Sequence, residues 1–234
     1  MHLLIPAAGV GRRMGSDRNK LLLPLLGEPI IAWTLLAAEA SNSITWIGLI
    51  CQAVDMPDLQ RILQSVKLSK PVVLILGGTT RQASVHNGLQ ALPAAAEHVL
   101  IHDGARCLAT PELFNRCAQT LLNCPGLIAA VPVKDTIKRV GPDELVTDTP
   151  ERSSLWAAQT PQGFHVAKLK AAHTQGQTQG WSVTDDAALF EKCGLPVKVV
   201  MGEETNLKVT TPGDLKIAEM ILRDRPRAQA PSTT

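Results

Sequence analysis

The chain is 234 residues long, 45% hydrophobic and formally +2 at pH 7, enough for one well-filled domain. So mild a charge, with aromatics at 3% and no tyrosine, argues against nucleic-acid binding, which needs a basic face and stacking platforms. No apolar stretch approaches the length that spans a bilayer. The five cysteines show no paired metal spacing and read as reduced thiols in a cytosolic chain, and Met1 leads directly into a strand, leaving no room for a signal peptide.

The first apolar run passes into a small-residue turn, LLIPAAGVGRRMGSDRNK, from Leu3 to Lys20. A buried strand followed by a tight turn exposes backbone N–H groups, and Arg12, Arg13, Arg18 and Lys20 can neutralise an anion held there. Gly9 and Gly11 let that anion approach the backbone closely. The stretch therefore predicts a phosphate-bearing ligand, a nucleotide first of all. Two familiar loops fit it poorly. A dinucleotide fingerprint wants an acidic residue about twenty positions on, at the end of the second strand, and a Walker A loop wants Gly-Lys-Ser/Thr.

Residues 21–29 read as a partly extended cover over the loop, broken by Pro24 and Gly27. A helix then starts near Pro29, with Ile30, Trp33, Leu36, Ala37 and Ala40 as its apolar stripe. Residues 44–51 predict a second buried strand, 56–66 a helix, and 71–76 a third inner strand. GGTTRQASVHNGLQAL repeats the strand–glycine–helix junction. Its helix should begin near Arg81 or Gln82, and Thr79, Arg81 and Ser84 ride on it. Residues 99–102 form a strand that ends in HDGAR, which sets Asp103 at the strand's carboxyl end, the edge where open α/β sheets bind ligands. A helix over 111–122 and a strand over 126–133 follow. Continuous apolar strands separated by helical patterns mean an α/β fold, a Rossmann-like, mostly parallel sheet with helices on both faces.

The alternation falters between 134 and 161. Ile137, Val140, Leu145 and Val146 suit a short hairpin around GPDE, which cannot bury its faces alone. It is either an arm that pairs with a second subunit or an ordinary surface excursion. Residues 164–172 read as a helix, 174–180 as a Gln/Gly-rich loop, and Thr184 as the cap of a helix starting at DDAALFEKC. The last strand covers 196–201 and a final helix begins near Pro212. The domain thus spans 1–225, with the arm at 134–156 and a frayed tail at 226–234.

No residue set suggests covalent catalysis. His102 neighbours Asp103, but adjacent strand residues face opposite ways, which makes His102 a structural side chain. Asp103 is the leading metal candidate, because Mg²⁺ needs only one or two protein carboxylates when phosphates supply its other oxygens. A salt bridge or cap is the competing role. Arg106 would steady Asp103. Lys20 and Lys208, the second in NLKVTTP just after the last strand, are candidates for phosphate neutralisation.

PAAGVGRRMGSDRNK, GGTTRQASVHNGL, HDGAR, VPVKDTIKR, LWAAQTPQGF, VTDDAALFE and NLKVTTPGDL stand in that order. Together they resemble the cytidylyltransferases of the non-mevalonate isoprenoid pathway over nearly the full length. The resemblance implies the nucleotide-diphospho-sugar transferase fold, with a projecting β-arm that forms a homodimer. It also implies a cytoplasmic, Mg²⁺-dependent transferase that joins CTP to 2-C-methyl-D-erythritol 4-phosphate and releases pyrophosphate. Under it, loop 6–13, with Pro6, Ala7, Ala8, Gly9 and Gly11, wraps the triphosphate, while Arg13, Lys20 and Lys208 stabilise the reacting phosphates. Gly78, Thr79 and Ser84 meet cytosine and ribose. Asp103 is the Mg²⁺ ligand, with Gly104 and Arg106 beside it. Thr136 and Arg152 hold the sugar-alcohol phosphate in the other subunit's site, and Thr184 is a further substrate-side position. Three residues depart from the family's habit: an acidic residue is common at Thr79, alanine at Gly104, and often aspartate at Thr205. Two alternatives stay open at this point, another polyol phosphate acceptor such as ribitol 5-phosphate, and a non-catalytic nucleotide-binding regulatory protein on the same scaffold.

Overall fold

A computed structural model describes residues 1–9 and 19–225; the tail expected to fray lies outside them. From the N-terminus, β1 (His2–Pro6) precedes a tight turn of two short strands, β2 (Pro24–Leu25) and β3 (Glu28–Pro29). Helix α1 (Ile30–Ala40), β4 (Trp46–Cys51), α2 (Met56–Val66), β5 (Val72–Leu76), α3 (Arg81–Gln90) and β6 (His98–Ile101) complete the first half. The second half runs α4 (Pro111–Leu121), β7 (Gly126–Pro132), β8 (Arg139–Val140), β9 (Val146–Asp148) and β10 (Trp156–His165). It ends with α5 (Val166–Thr178), α6 (Asp186–Lys192), β11 (Lys198–Met201) and α7 (Pro212–Asp224).

Seven strands make one sheet in the order β11-β7-β10-β6-β1-β4-β5. The pairs β1–β4, β1–β6, β4–β5 and β7–β11 are parallel, and β10 runs antiparallel to both β6 and β7. Strand alternation divides the core in two. Leu3 and Ile5 of β1 face a layer built with Ile30, Ile31, Leu59, Leu113 and Phe114, whereas Leu4 faces the layer of Val85, Leu89, Leu169 and Phe190. Burying each such side chain contributes roughly 1.5–3 kcal/mol. Threonine or aspartate fixes where several helices start. Thr80, Thr110, Asp185 and Thr211 each accept a first-turn N–H of α3, α4, α6 and α7, at about 1 kcal/mol per cap.

Four expectations need correcting. β5 is an edge strand with Val73 and Leu76 exposed, not an inner one; its apolar run marks a strand but cannot say whether a neighbour lies beyond it. Residues 156–165 form a ten-residue strand in the middle of the sheet, where turn-rich sequence and then a helix from 164 were expected. Its Gln159, Thr160 and Gln162 are buried polar residues, which mask the apolar signal of a core strand, and an irregular register between Ala158 and Gln162 accommodates Pro161. Helix α5 continues to Thr178 through the supposed Gln/Gly loop, because Gly176 lets α6 approach: a Cβ there would stand 2.9 Å from Leu189 Cδ2. The cap of α6 is Asp185, whose carboxylate accepts the Ala188 N–H at 3.1 Å, rather than Thr184. The β8–β9 hairpin does form, closed by Arg139 opposite Asp148. Its Ile137, Val140, Leu145 and Val146 are exposed.

Candidate active site

The parallel ladders continue one residue past their strands and so gather three loops at one edge. Ala7 donates to Ile50 O at 2.7 Å, Gly77 to Cys51 O at 2.9 Å and His102 to Leu4 O at 2.9 Å. Pro6, Ala7, Ala8 and Gly9 leave β1 there. Their loop touches the one after β5 so closely that a Cβ on Gly77 would sit 3.0 Å from Ala8 Cβ. Gly78 is equally constrained, since its Cβ would lie 2.5 Å from Ala83 Cβ. Buried Ser84 shapes this loop from beneath: its hydroxyl accepts the Gly78 N–H at 3.0 Å and donates to Thr80 O at 2.8 Å. Thr79 is exposed at the tip.

Asp103 follows β6 and meets two cations. Lys208 Nζ lies 2.8 Å and Arg106 Nε 3.7 Å from its Oδ2. Burial opposes ionisation of this carboxyl, but Lys208, Arg81 and Arg106 outweigh it and hold its pKa below the ordinary aspartate value. Lys20, from the first loop, donates to Val209 O at 2.8 Å. Two lysines from opposite ends of the chain therefore converge on the 208–209 backbone beside one carboxylate. Among the described residues no group of three or more His, Cys, Asp or Glu side chains could hold a metal.

A buried polar web places Lys208. Asn206 Nδ2 donates to Gln159 Oε1 at 3.0 Å and Thr160 O at 2.8 Å. Gln159 Nε2 donates to Glu203 O at 2.9 Å, and Val209 N to Ala105 O at 2.9 Å. Arg106 adds a bond from Nη1 to Asn206 O at 2.7 Å. Residues on both sides of Lys208 are thus pinned to β10 and to the loop after β6. His102 is part of the same web and is structural, as its position beside Asp103 predicts. The Arg106 carbonyl, 3.2 Å from His102 Nε2, can only accept, so the proton of the neutral ring sits on Nε2. Nδ1 is then the acceptor, and the Thr160 hydroxyl, which accepts the Asp103 N–H at 3.0 Å, donates to it at 3.1 Å. Complete burial drives the His102 pKa down to about 4, so the ring is neutral near pH 7.

The structure brings together Ala7, Ala8, Gly78, Ser84, Asp103, Arg106, Lys20 and Lys208 at this edge. Gly104 is buried instead in the core beneath it. A Cβ there would meet Leu21 Cδ1 at 2.8 Å and Ile31 Cδ1 at 3.1 Å, and Thr34 donates to its carbonyl. Thr184 is exposed just before α6, and Thr205 lies exposed in the turn ahead of Asn206. Thr136 is exposed on the arm, while Arg152 Nη1 holds the arm's base through Lys134 O at 3.0 Å. Gly11 and Arg13, with Arg12 and Arg18, lie outside the described residues.

Sequence reasoning missed the acidic support of Arg81. Its Nη1 binds Asp186 Oδ2 at 2.8 Å, and Asp186 Oδ1 faces His173 Nε2 at 3.1 Å. Burial lowers the Arg81 pKa, yet Asp186 and Asp103 more than offset this and raise it, which places a permanent cation within reach of the Asp103 field. The paired aspartates of VTDDAALFE were the available signal: Asp185 caps the helix, and Asp186 turns inward.

Comparison with known proteins places the whole chain beside one family. The family model IspD, 2-C-methyl-D-erythritol 4-phosphate cytidylyltransferase, matches residues 1–224. The chain is 69% identical over 225 residues to the 2-C-methyl-D-erythritol 4-phosphate cytidylyltransferase of Nostoc punctiforme, covering 96% of this chain and 99% of the relative. Among solved structures, the 4-diphosphocytidyl-2C-methyl-D-erythritol synthase of Anaerococcus prevotii superposes with a TM-score of 0.86 at 33% identity, covering 95% of this chain and 97% of that one. The corresponding cytidylyltransferase of Thermus thermophilus gives 0.78 at 32% identity, with 94% and 98% covered.

Proposed function

The chain belongs to the 2-C-methyl-D-erythritol 4-phosphate cytidylyltransferase family, and we propose that it works through the loop edge around Asp103, Lys20 and Lys208. The reaction moves a cytidylyl group from CTP to 2-C-methyl-D-erythritol 4-phosphate, giving 4-diphosphocytidyl-2-C-methyl-D-erythritol and pyrophosphate. The acceptor's phosphate monoester is already an anionic nucleophile, so no general base is needed. The obstacle is bringing one anion against another. Two unit charges 4 Å apart interact by about 4 kcal/mol at an effective dielectric constant of 20, so a few well-placed cations change the barrier by orders of magnitude.

The observation that carries this reading is the meeting of Lys20 Nζ with Val209 O, 189 positions away, beside the Lys208–Asp103 ion pair. Lys20 and Lys208, with Arg13, neutralise the phosphates as charge builds on the α-phosphorus oxygens, and the backbone of the first loop from Ala8 onward holds the leaving pyrophosphate. Gly78, Thr79 and Ser84 form the cytosine and ribose side, and Thr184 adds a contact near the acceptor.

Asp103 suits a magnesium ion. Lys208 and Arg106 both approach Oδ2, so Oδ1 is the oxygen to offer, and one carboxylate suffices where phosphates complete the shell. Bound there, the ion would draw charge from the phosphate oxygens and orient them for in-line displacement. Thr205 supplies no second carboxylate, so substrate phosphates and water would complete the shell of a bound ion.

The arm is the dimerisation element in this reading. Exposed Val140, Leu145 and Val146 favour cover by a second copy, in whose site Thr136 and Arg152 fix the acceptor phosphate. A reducing cytoplasm suits the chain's free thiols, and no helix among the described residues is long and apolar enough to cross a membrane.

Pyrophosphate release tests the proposal. CTP, Mg²⁺ and 2-C-methyl-D-erythritol 4-phosphate should give rapid release that stops on chelation and falls in specific activity on dilution below the dimer Kd. Chelator-resistant turnover would remove the metal. Activity constant with dilution by a sedimenting monomer would remove the shared site.

A further inference from the structure

Lys20 is a long side chain that opens a short turn, and the turn is tied by the buried Asn19 side chain and by backbone bonds. We infer that Asn19 and Asp55 are positioning residues that aim Lys20 at the reacting phosphates. The inference rests on the role given to Lys20 above.

Asn19 is 5% exposed, and its amide is fully engaged on the donor side. Nδ2 donates to Ala7 O at 2.7 Å and to Asp55 Oδ2 at 2.8 Å, while Oδ1 accepts the Leu21 N–H at 3.1 Å. One side chain therefore ties the residue that enters the loop, Ala7, to the residue that follows Lys20. Its anchor is Asp55, itself 8% exposed in the turn that leaves β4. The same turn grips the next loop residue, since Gln52 Nε2 donates to Ala8 O at 2.7 Å.

Only an amide of this length supplies two donors and an acceptor in this arrangement. Aspartate in place of Asn19 would remove both donors and set two carboxylates side by side. On the C-terminal side of Lys20 the backbone closes a tight turn. Leu22 N donates to Asn19 O at 3.0 Å and Leu23 N to Lys20 O at 3.1 Å, and Leu21 is buried in the core beside Gly104. From that fixed turn the ammonium reaches Val209 O. Holding a charged group in place before substrate arrives spares the ordering cost at the moment of reaction, and a misplacement of about 1 Å can cost about 10²-fold in rate.

The experiment compares wild type with N19A, D55A, D55N and the N19A/D55A double variant. Each is assayed for pyrophosphate release with CTP, Mg²⁺ and 2-C-methyl-D-erythritol 4-phosphate, with melting temperature recorded alongside. Asn19→Ala and Asp55→Ala should each lower kcat roughly 10- to 100-fold, with acceptor KM within about three-fold of wild type. The double variant should be no slower than the slower single, because the two residues act as one unit. Asp55→Asn keeps an oxygen that accepts from Asn19 and should stay within about three-fold of wild-type kcat. A role confined to stability would lower melting temperature and leave the kcat of the folded variants at the wild-type value. Wild-type kcat in either alanine variant, multiplying losses in the double, or D55N as slow as D55A would overturn the inference. Should N19A fail to fold, the comparison of D55A with D55N still decides it. Silence from wild type itself would overturn the activity reading first, and is told apart because no variant comparison then exists.

Discussion

Replacing Asp186 by alanine removes a carboxylate that is 1% exposed between Arg81, at 2.8 Å, and His173, at 3.1 Å. Deleting one partner of a buried pair costs about 3–5 kcal/mol, because the other charge stays behind. Arg81 keeps 29% of its side chain exposed, so water relieves part of that and the low end applies. The fully buried His173 Nε2 loses its acceptor as well, adding about 1 kcal/mol. A total of about 4 kcal/mol corresponds to a melting temperature roughly 8–16 °C lower for a chain of this size. Scanning calorimetry at neutral pH reads this directly. The pH dependence gives a second check. Burial pushes the Asp186 carboxyl up, but Arg81 and His173 leave it depressed overall. Its stabilisation is therefore complete above the unfolded value of about 3.9 and disappears as pH falls through the folded value. The gap between wild type and variant should be flat from about pH 5 to 8 and close below about pH 4. A loss smaller than about 2 °C, or a gap that widens on acidification, would refute the reasoning.

The other expectations concern the site more directly. Lys20→Ala and Lys208→Ala should each cut turnover by about 10²–10³-fold, the scale of losing one preorganised charge donor, with little change in melting temperature; near-normal initial rates in both would dismiss their roles. Arg152→Ala should raise KM for 2-C-methyl-D-erythritol 4-phosphate and leave that for CTP alone, and the reverse pattern in steady-state kinetics would misplace the arm. His102, with a pKa of about 4 against an unfolded value near 6.5, refuses a proton that the unfolded chain accepts. Stability should consequently drop by about 2 kcal/mol between pH 7 and pH 5. Urea midpoints should show that drop in wild type and a shallower one in His102→Gln; equal slopes would contradict the neutral-ring assignment.

What the sequence reveals here follows the range of each interaction. β1, β4 and β6 are apolar runs whose burial needs no distant partner to be recognised, and the rule for parallel sheets carries Asp103 and Lys208 to one edge. β10 escapes notice because Gln159, Thr160 and Gln162 resemble surface residues until their partners are known. Those partners, Asn206, His102 and Asp185, lie 47, 58 and 23 positions away. Arg81 stands visibly in its loop, but Asp186 is 105 positions on, and no local pattern links them. Asn19 is similar: it reads as a loop residue among arginines, and only the fold lays Ala7 and Asp55 against its amide. Gly104 also depends on distant residues: the tips of Leu21 and Ile31 lie 2.8 and 3.1 Å from where an alanine's methyl group would be.

The central seat of β10 also orders events on the ribosome. Residues 2–101 supply β5, β4, β1 and β6, a contiguous block whose strands need no later segment to pair with one another. β7 has no such neighbour, because both of its partners, β10 and β11, are translated after it. At about 5–20 residues per second, the 64 positions from Ile101 to His165 hold the β6 edge open for roughly 3–13 s. Over that interval the nascent chain presents an unpaired, apolar strand edge, and chaperone demand should peak there and end once β10, through His165, has emerged.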